Sequence, residues 1–293
     1  MQSAVSESDK DISGEEPSGQ QPAPRKPRFL KVAAGILIAT GLLALKLKGL
    51  LFFGLAKFKP LMVNPLEGFG LAQFAWTAGS MAVTIGAYAF KFGLAFAIGF
   101  VLLTVIHELG HALLIRAKGL RASAMVFIPF IGGAVTLKDQ PRSAFDDAQI
   151  GLAGPIAGTV ASLLCLFIYR LNGDSLYLVL AFAGFALNLL NLMPVGPLDG
   201  GRIAAAISKW MWVLGSGILV YMLVVWRNPL LLPVLFLGLY QIYRTIIGDY
   251  DELFYAVTIS QRSRIAAFYF ALVFFLGYET LTVHAELLTL QTS

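Results

Sequence analysis

From residue 71 onward the chain is a succession of apolar stretches, at about 71–90, 92–117, 149–170, 176–193, 210–226, 229–243 and 264–279. A helix needs ~20 apolar residues to cross a hydrocarbon core ~30 Å thick, and several of these stretches reach that length. Composition agrees. Hydrophobic residues make up 57% of the 293 and charged residues 13%, about half the ~25% typical of soluble chains. The expected fold class is an all-α polytopic membrane protein with about six to eight membrane helices. The same numbers exclude a disordered chain, a coiled coil and a secreted disulfide scaffold. Cys165 is the single cysteine, so no intrachain disulfide can form. It lies among leucines and reads as a small buried hydrophobe.

The net charge is +5, from 22 Lys and Arg against 17 Asp and Glu. These cations cluster between apolar stretches, which is the pattern of cytoplasmic loops. No basic stripe with interleaved aromatics supports nucleic-acid binding. If 71–90 starts inside and 92–117 ends inside, then Arg116, Lys118, Arg121, Lys138, Arg142, Arg202, Lys209, Arg244, Arg262 and Arg264 all face the cytoplasm. After residue 70 only Lys91, Arg170 and Arg227 fall outside. Residues 1–24 hold five acids, one lysine and no aromatics; such a stretch cannot offset its ordering entropy. The expected division is therefore a disordered acidic tail over 1–28, ending in the basic Arg25-Lys26-Pro27-Arg28. Next comes a membrane-associated or re-entrant segment over 29–60, interrupted by Lys46, Lys48 and Lys57. A membrane-embedded domain over 61–279 and a C-terminal tail over 280–293 complete it. No internal repeat is evident.

Residues 122–138 stand apart. They are too short to cross as a helix, are broken by Pro129 and Gly132-Gly133, and are rich in Val, Ile, Phe and Thr. This composition predicts a short membrane-associated β segment, shielded by protein or bordering an aqueous cavity, because lipid does not tolerate unpaired strands.

Ionisable side chains inside a membrane helix are costly and point to function. His107-Glu108-Leu109-Gly110-His111 brings three together. Histidines four residues apart share one helix face, so both imidazoles can meet one Zn²⁺. Glu108 starts ~100° round the helix from His107, beside a metal-bound water rather than on the metal, where a general base belongs. His284 has no such company and reads as an ordinary exposed or interfacial residue. A hydrolytic zinc needs a third protein ligand, and Asp199 is the one strong candidate. It follows Pro194 and Pro197, which end the preceding helix, and is flanked by Gly196, Gly200 and Gly201. That predicts an unwound segment aiming the carboxylate at the histidines; a helix cap explains an isolated Asp before Gly-Gly as well.

Together, His107-Glu108-Leu109-Gly110-His111, Asn188, Asn191, Pro194 and Pro197-Leu198-Asp199-Gly200-Gly201 resemble the site-2 protease family of intramembrane zinc metalloproteases. Gly151-Leu152-Ala153-Gly154-Pro155-Ile156-Ala157-Gly158 is similar to that family's glycine-rich helix start. The resemblance covers about 92–205. It implies one zinc per chain held by His107, His111 and Asp199, and cleavage of transmembrane protein substrates in a cytoplasm-facing cleft, with Glu108 as base. It also implies a multi-pass protein of a bacterial cell membrane, its N-terminus in the cytoplasm. No polar insert is long enough for the PDZ domain that some members carry, and no C-terminal CBS pair is seen. Asn188 and Asn191 are candidates for binding substrate or the oxyanion, or for capping the broken helix. Gly132 and Gly133 would let a substrate strand approach, or mark a plain packing hairpin. Gly110 and the Gly151, Gly154, Gly158 spacing read as close helix packing. A zinc carrier or channel, or an inactive scaffold that binds membrane segments, are the competing readings.

Overall fold

The computed structural model describes residues 71–292 except 131, 136, 230, 249 and 250. The tail expected over 1–28 and the segment over 29–60 lie outside the described residues. Four helices and a hairpin come first: α1 (Leu71–Phe92), α2 (Leu94–Ala117), β1 (Val126–Ile128), β2 (Gly132–Ala134), α3 (Ala144–Asn172) and α4 (Ser175–Asn191). They are followed by α5 (Asp199–Ile207), α6 (Met211–Trp226), α7 (Leu231–Ile246) and α8 (Ile259–Thr292). Among the described residues, Leu94–Ala117, Ala144–Asn172 and Ile259–Leu290 are long and apolar enough to cross a membrane. Ser175–Asn191, Met211–Trp226 and Leu231–Ile246 are shorter apolar helices. Leu102, Leu113, Val160, Leu164, Phe167, Phe268 and Phe274 remain exposed, as lipid-facing surfaces require.

Helix α3 is the hub, packing against α2, α4, α5 and α8. Its start is set by Ser143, whose hydroxyl accepts from the Asp146 amide at 3.2 Å. Asp146 and Asp147 fill the first turn, where the helix dipole favours anions. Gly173 closes the helix in the left-handed conformation (φ 71) and Asp174 caps the next, so α3 and α4 form a tight antiparallel pair. The main core gathers Leu152, Leu178, Phe185, Ile203, Ile265 and Leu276. Helix α8 buries Ile265, Tyr269, Leu276 and Val283, and the Tyr269 hydroxyl donates to the Leu192 carbonyl at 2.7 Å. Residues 280–292, expected as a tail, continue α8. There Glu286 pairs with Arg170 (Nη2 to Oε2 2.7 Å), and the exposed His284 ring stacks on Phe182.

Strands β1 and β2 pair antiparallel, with Phe127 opposite Gly133, and a bridge joins Ala122 to Leu137. The hairpin lies lengthwise on α1. Thr77 Oγ1 donates to the Met125 carbonyl (2.8 Å), Ser80 Oγ accepts from the Phe127 amide (3.2 Å), and the Tyr88 hydroxyl accepts from the Phe130 amide (3.1 Å). Eleven helical residues separate Thr77 from Tyr88, about 16 Å. Backbone groups that lipid would leave unpaired thus find partners on α1. Phe130 takes φ 62 at the tip, unusual for a bulky residue, and its ring meets Tyr88 at 5.0 Å. At the base, the Lys138 amide donates to the Arg121 carbonyl (2.9 Å) and the Arg121 side chain reaches Asp139 (2.7 Å). Lys118 bonds Asp146 and Gln149, each at 2.6 Å, and Arg202 bonds Asp147 at 3.0 Å. Several cations expected on one side of the membrane therefore gather where α2 ends and α3 begins.

Candidate metal centre

Helix α2 buries His107, Glu108 and His111, each no more than 5% exposed. The four-residue spacing sets the imidazole centroids 4.9 Å apart. Asp199 comes from the opposite side. The chain turns after α4 through Pro194 and Pro197 and enters α5 with Asp199 as its first residue. Its Oδ2 lies 3.1 Å from His107 Nε2 and 3.2 Å from His111 Nε2, and the two Nε2 atoms are 3.2 Å apart. The expected unwound segment spans residues 192–198, and the carboxylate projects from the first helical residue after it rather than from the segment itself. Gly200 and Gly201 serve close approach rather than turning. A Cβ on Gly200 would stand 2.0 Å from the Leu192 carbonyl oxygen, and one on Gly201 2.4 Å from the Gly196 amide nitrogen, while Gly196 itself faces open space.

The opposite edge of each ring is held. His107 Nδ1 meets Asn188 Oδ1 at 2.8 Å, and His111 Nδ1 meets the Ile150 carbonyl at 2.7 Å. Both partners are acceptors, so each Nδ1 carries the hydrogen and donates. In the neutral ring Nε2 then bears the inward lone pair, and two such nitrogens with a carboxylate oxygen form a donor set that one cation satisfies. Bonds of ~2.0–2.1 Å at tetrahedral angles separate ligand atoms by ~3.3 Å. The three donors, all within 4.8 Å of one another, match one face of such a tetrahedron. His107, His111 and Asp199 fit a divalent metal of the zinc type.

Glycines on neighbouring helices make the room. A Cβ on Gly154 would lie 2.1 Å from His111 Nε2, one on Gly158 2.2 Å from Asn188 Oδ1, and one on Gly110 2.4 Å from the Ala153 carbonyl oxygen. The expectation of close helix packing is thus sharpened: Gly154 clears space for the His111 imidazole, and Gly158 for the Asn188 amide that holds His107. Glu108 lies within electrostatic reach of both histidines and Asp199, and the Val135 amide lies against its carboxylate. A Cβ on Gly133 would sit 2.7 Å from Glu108 Cγ and 2.9 Å from Oε1, whereas Gly132, at φ 123, has open space. No local feature of residues 132–134 signals that β2 covers the acid.

Asn188 requires a correction. It is 2% exposed, with Oδ1 on His107 and Nδ2 donating to the Gly184 carbonyl at 2.7 Å. Neither end can reach a substrate or an oxyanion. Asn191 ends α4 half-buried, its amide uncommitted among the described residues. The Ile150 carbonyl escaped sequence reasoning because a backbone atom leaves no residue-type signal.

Residues 95–175 match the model of Peptidase family M50. Over this core the chain is similar to peptidase family M50. A zinc metalloprotease of Methanocaldococcus jannaschii is 30% identical over 135 residues, 43% of this chain and 39% of that protein. Stage IV sporulation protein FB of Bacillus subtilis is 29% identical over 105 residues, 35% of this chain and 36% of that protein. The chain thus spans about two fifths of the length of these curated relatives. The solved site-2 protease from Methanocaldococcus jannaschii is 24% identical, with a TM-score of 0.41 covering 56% of this chain and 85% of that one.

Proposed function

We propose that this chain is a member of peptidase family M50 and an intramembrane zinc endopeptidase that hydrolyses peptide bonds within or near transmembrane segments of membrane-protein substrates. The observation that carries the reading is the convergence of His107 Nε2, His111 Nε2 and Asp199 Oδ2 within 3.2 Å of one another, with both histidines on an apolar helix long enough to cross a membrane. The relatives named as zinc metalloproteases support it. One zinc, held by these three residues, supplies a Lewis acid that polarises the scissile carbonyl and acidifies water.

The chain's own groups do the rest. Glu108 takes the proton of the attacking water and passes it to the leaving amine nitrogen. Asn191 donates its amide to the substrate backbone or the developing oxyanion. The β1–β2 hairpin offers a strand edge to an unwound substrate, with Gly132 and Gly133 permitting close approach. His107 lies 11 residues before Lys118, ~16 Å along α2, so water arrives through a polar cleft from the cytoplasmic end. The reading also takes in about six to eight crossings, the tail–segment–domain division above, and a bacterial cell membrane with a cytoplasmic N-terminus.

Glu108→Gln tests the assignment. Cleavage of a transmembrane substrate is expected to stop while zinc stays bound, and comparative membrane proteomics is expected to show accumulated uncut substrates. Sustained cleavage by the variant would defeat the general-base role; zinc flux without cleavage in both proteins would favour a carrier.

A further inference from the structure

We infer that Asn188 is a positioning residue that sets the tautomer and angle of His107 and thereby the affinity of the metal centre. The inference rests on the zinc reading above and adds to it a residue that touches neither metal nor substrate.

Three contacts fix the Asn188 amide. Its Nδ2 donates to the Gly184 carbonyl one turn back in α4 at 2.7 Å. Only the NH₂ group can make that bond, so Oδ1 is committed to the other side, where it meets His107 Nδ1 at 2.8 Å. From α3, Gly158 leaves a space that a single methyl would fill, 2.2 Å from Oδ1. An acceptor held this rigidly keeps the hydrogen on Nδ1, so that the neutral ring presents its Nε2 lone pair toward Asp199 Oδ2 and His111 Nε2. The Ile150 carbonyl does the same for His111 at 2.7 Å. The two rings are therefore oriented by different means, one by a backbone atom and one by a side chain, so the His107 half can be altered by mutation. Buried at 2% exposure, Asn188 has no water to replace a lost bond.

The experiment uses the full chain purified in detergent, loaded with zinc and titrated against a chelator, with thermal unfolding run in parallel. Asn188→Leu matches the volume but accepts no hydrogen bond; its zinc affinity is expected to fall roughly 10- to 100-fold, the usual effect of losing such an outer partner. Asn188→Asp keeps the acceptor and loses the Gly184 bond; its affinity is expected to stay within a few-fold of wild type. A merely structural role would instead make the buried aspartate at least as harmful as the leucine. If Asn188→Leu does not fold, Gly158→Ala, which crowds Oδ1 from α3, is expected to weaken zinc in the same way. Wild-type affinity in a folded Asn188→Leu, or equal loss in Asn188→Leu and Asn188→Asp, would overturn the inference. A wild-type chain that takes up no zinc would overturn the metal reading itself and this inference with it.

Discussion

The two sides of the metal centre are built differently. On the ligand side, His107, His111 and Asp199 are set by four packed helices, with Nδ1 partners from α4 and α3 and glycines trimmed to the rings. On the working side, Glu108 lies under a hairpin whose strands are three residues each. That hairpin is fastened to α1 by three hydrogen bonds and closed at its base by an Arg121–Asp139 pair. A metal grip gains from rigidity, because any ligand displacement weakens it. In the proposed reaction the substrate enters between hairpin and acid, so the hairpin is the element expected to yield. That reaction thus pairs a fixed metal half with a movable substrate half.

The largest expected effect comes from breaking the rigid half. Gly154→Ala places a methyl against the His111 ring, so zinc binding and proteolysis are both expected to be lost. Metal analysis of the purified variant checks this, and a fully loaded variant would show that the α2–α3 contact is softer than the geometry implies. Next is Gly133→Ala, which crowds Glu108 from the hairpin. Zinc should remain, and cleavage should fall on the order of 10²-fold, the scale of a ~1 Å misplacement of a reacting group; equal loss of zinc would erase the distinction between the halves.

Smaller still is Ser80→Ala, which removes the acceptor for the Phe127 amide. One hydrogen bond is worth about 1 kcal/mol net, so hairpin amides should exchange about fivefold faster while α2 and α3 are unchanged. The smallest effect concerns pH. Hydrogen bonds from the Arg121 guanidinium and backbone amide, with its charge a smaller cause, hold the half-exposed Asp139 carboxyl down at about 2, against an ordinary 3.8. A lowered carboxyl stabilises the folded form fully above its unfolded value and loses that contribution as pH falls toward the folded one. Hairpin-base exchange should therefore be insensitive to this pair from pH 8 to 5 and respond only between about 3.8 and 2.

The rigid half was the more legible in the sequence. His107, Glu108 and His111 declare themselves by spacing on one helix, and Asp199 by being a lone acid beyond a proline-broken apolar stretch. The apolar stretches also located most of the helices, since burial and lipid contact impose the same composition. What stayed hidden were contacts between distant positions. Asn188 meets His107 across 81 residues, and its buried amide showed only that some partner was needed. Small residues at 154 and 158 signalled close approach without saying that an imidazole and an amide would fill the gap. The start of α3 was missed because its first turn is polar, capped by Ser143 and lined by Asp146 and Asp147, and an apolar criterion passes over such a turn. The hairpin's position over Glu108 has no local signal at all.

One ion held by residues from α2 and α5 underlies the proposed chemistry. X-ray absorption at the zinc edge of the purified full chain, compared with Asp199→Ala, tests that directly. The expected result is one zinc per chain, with nitrogen and oxygen neighbours at ~2.0–2.1 Å that include two imidazoles, and a weakened, altered first shell in the variant. A proteolytically active chain free of metal, or a zinc shell unchanged when Asp199 is removed, would contradict it.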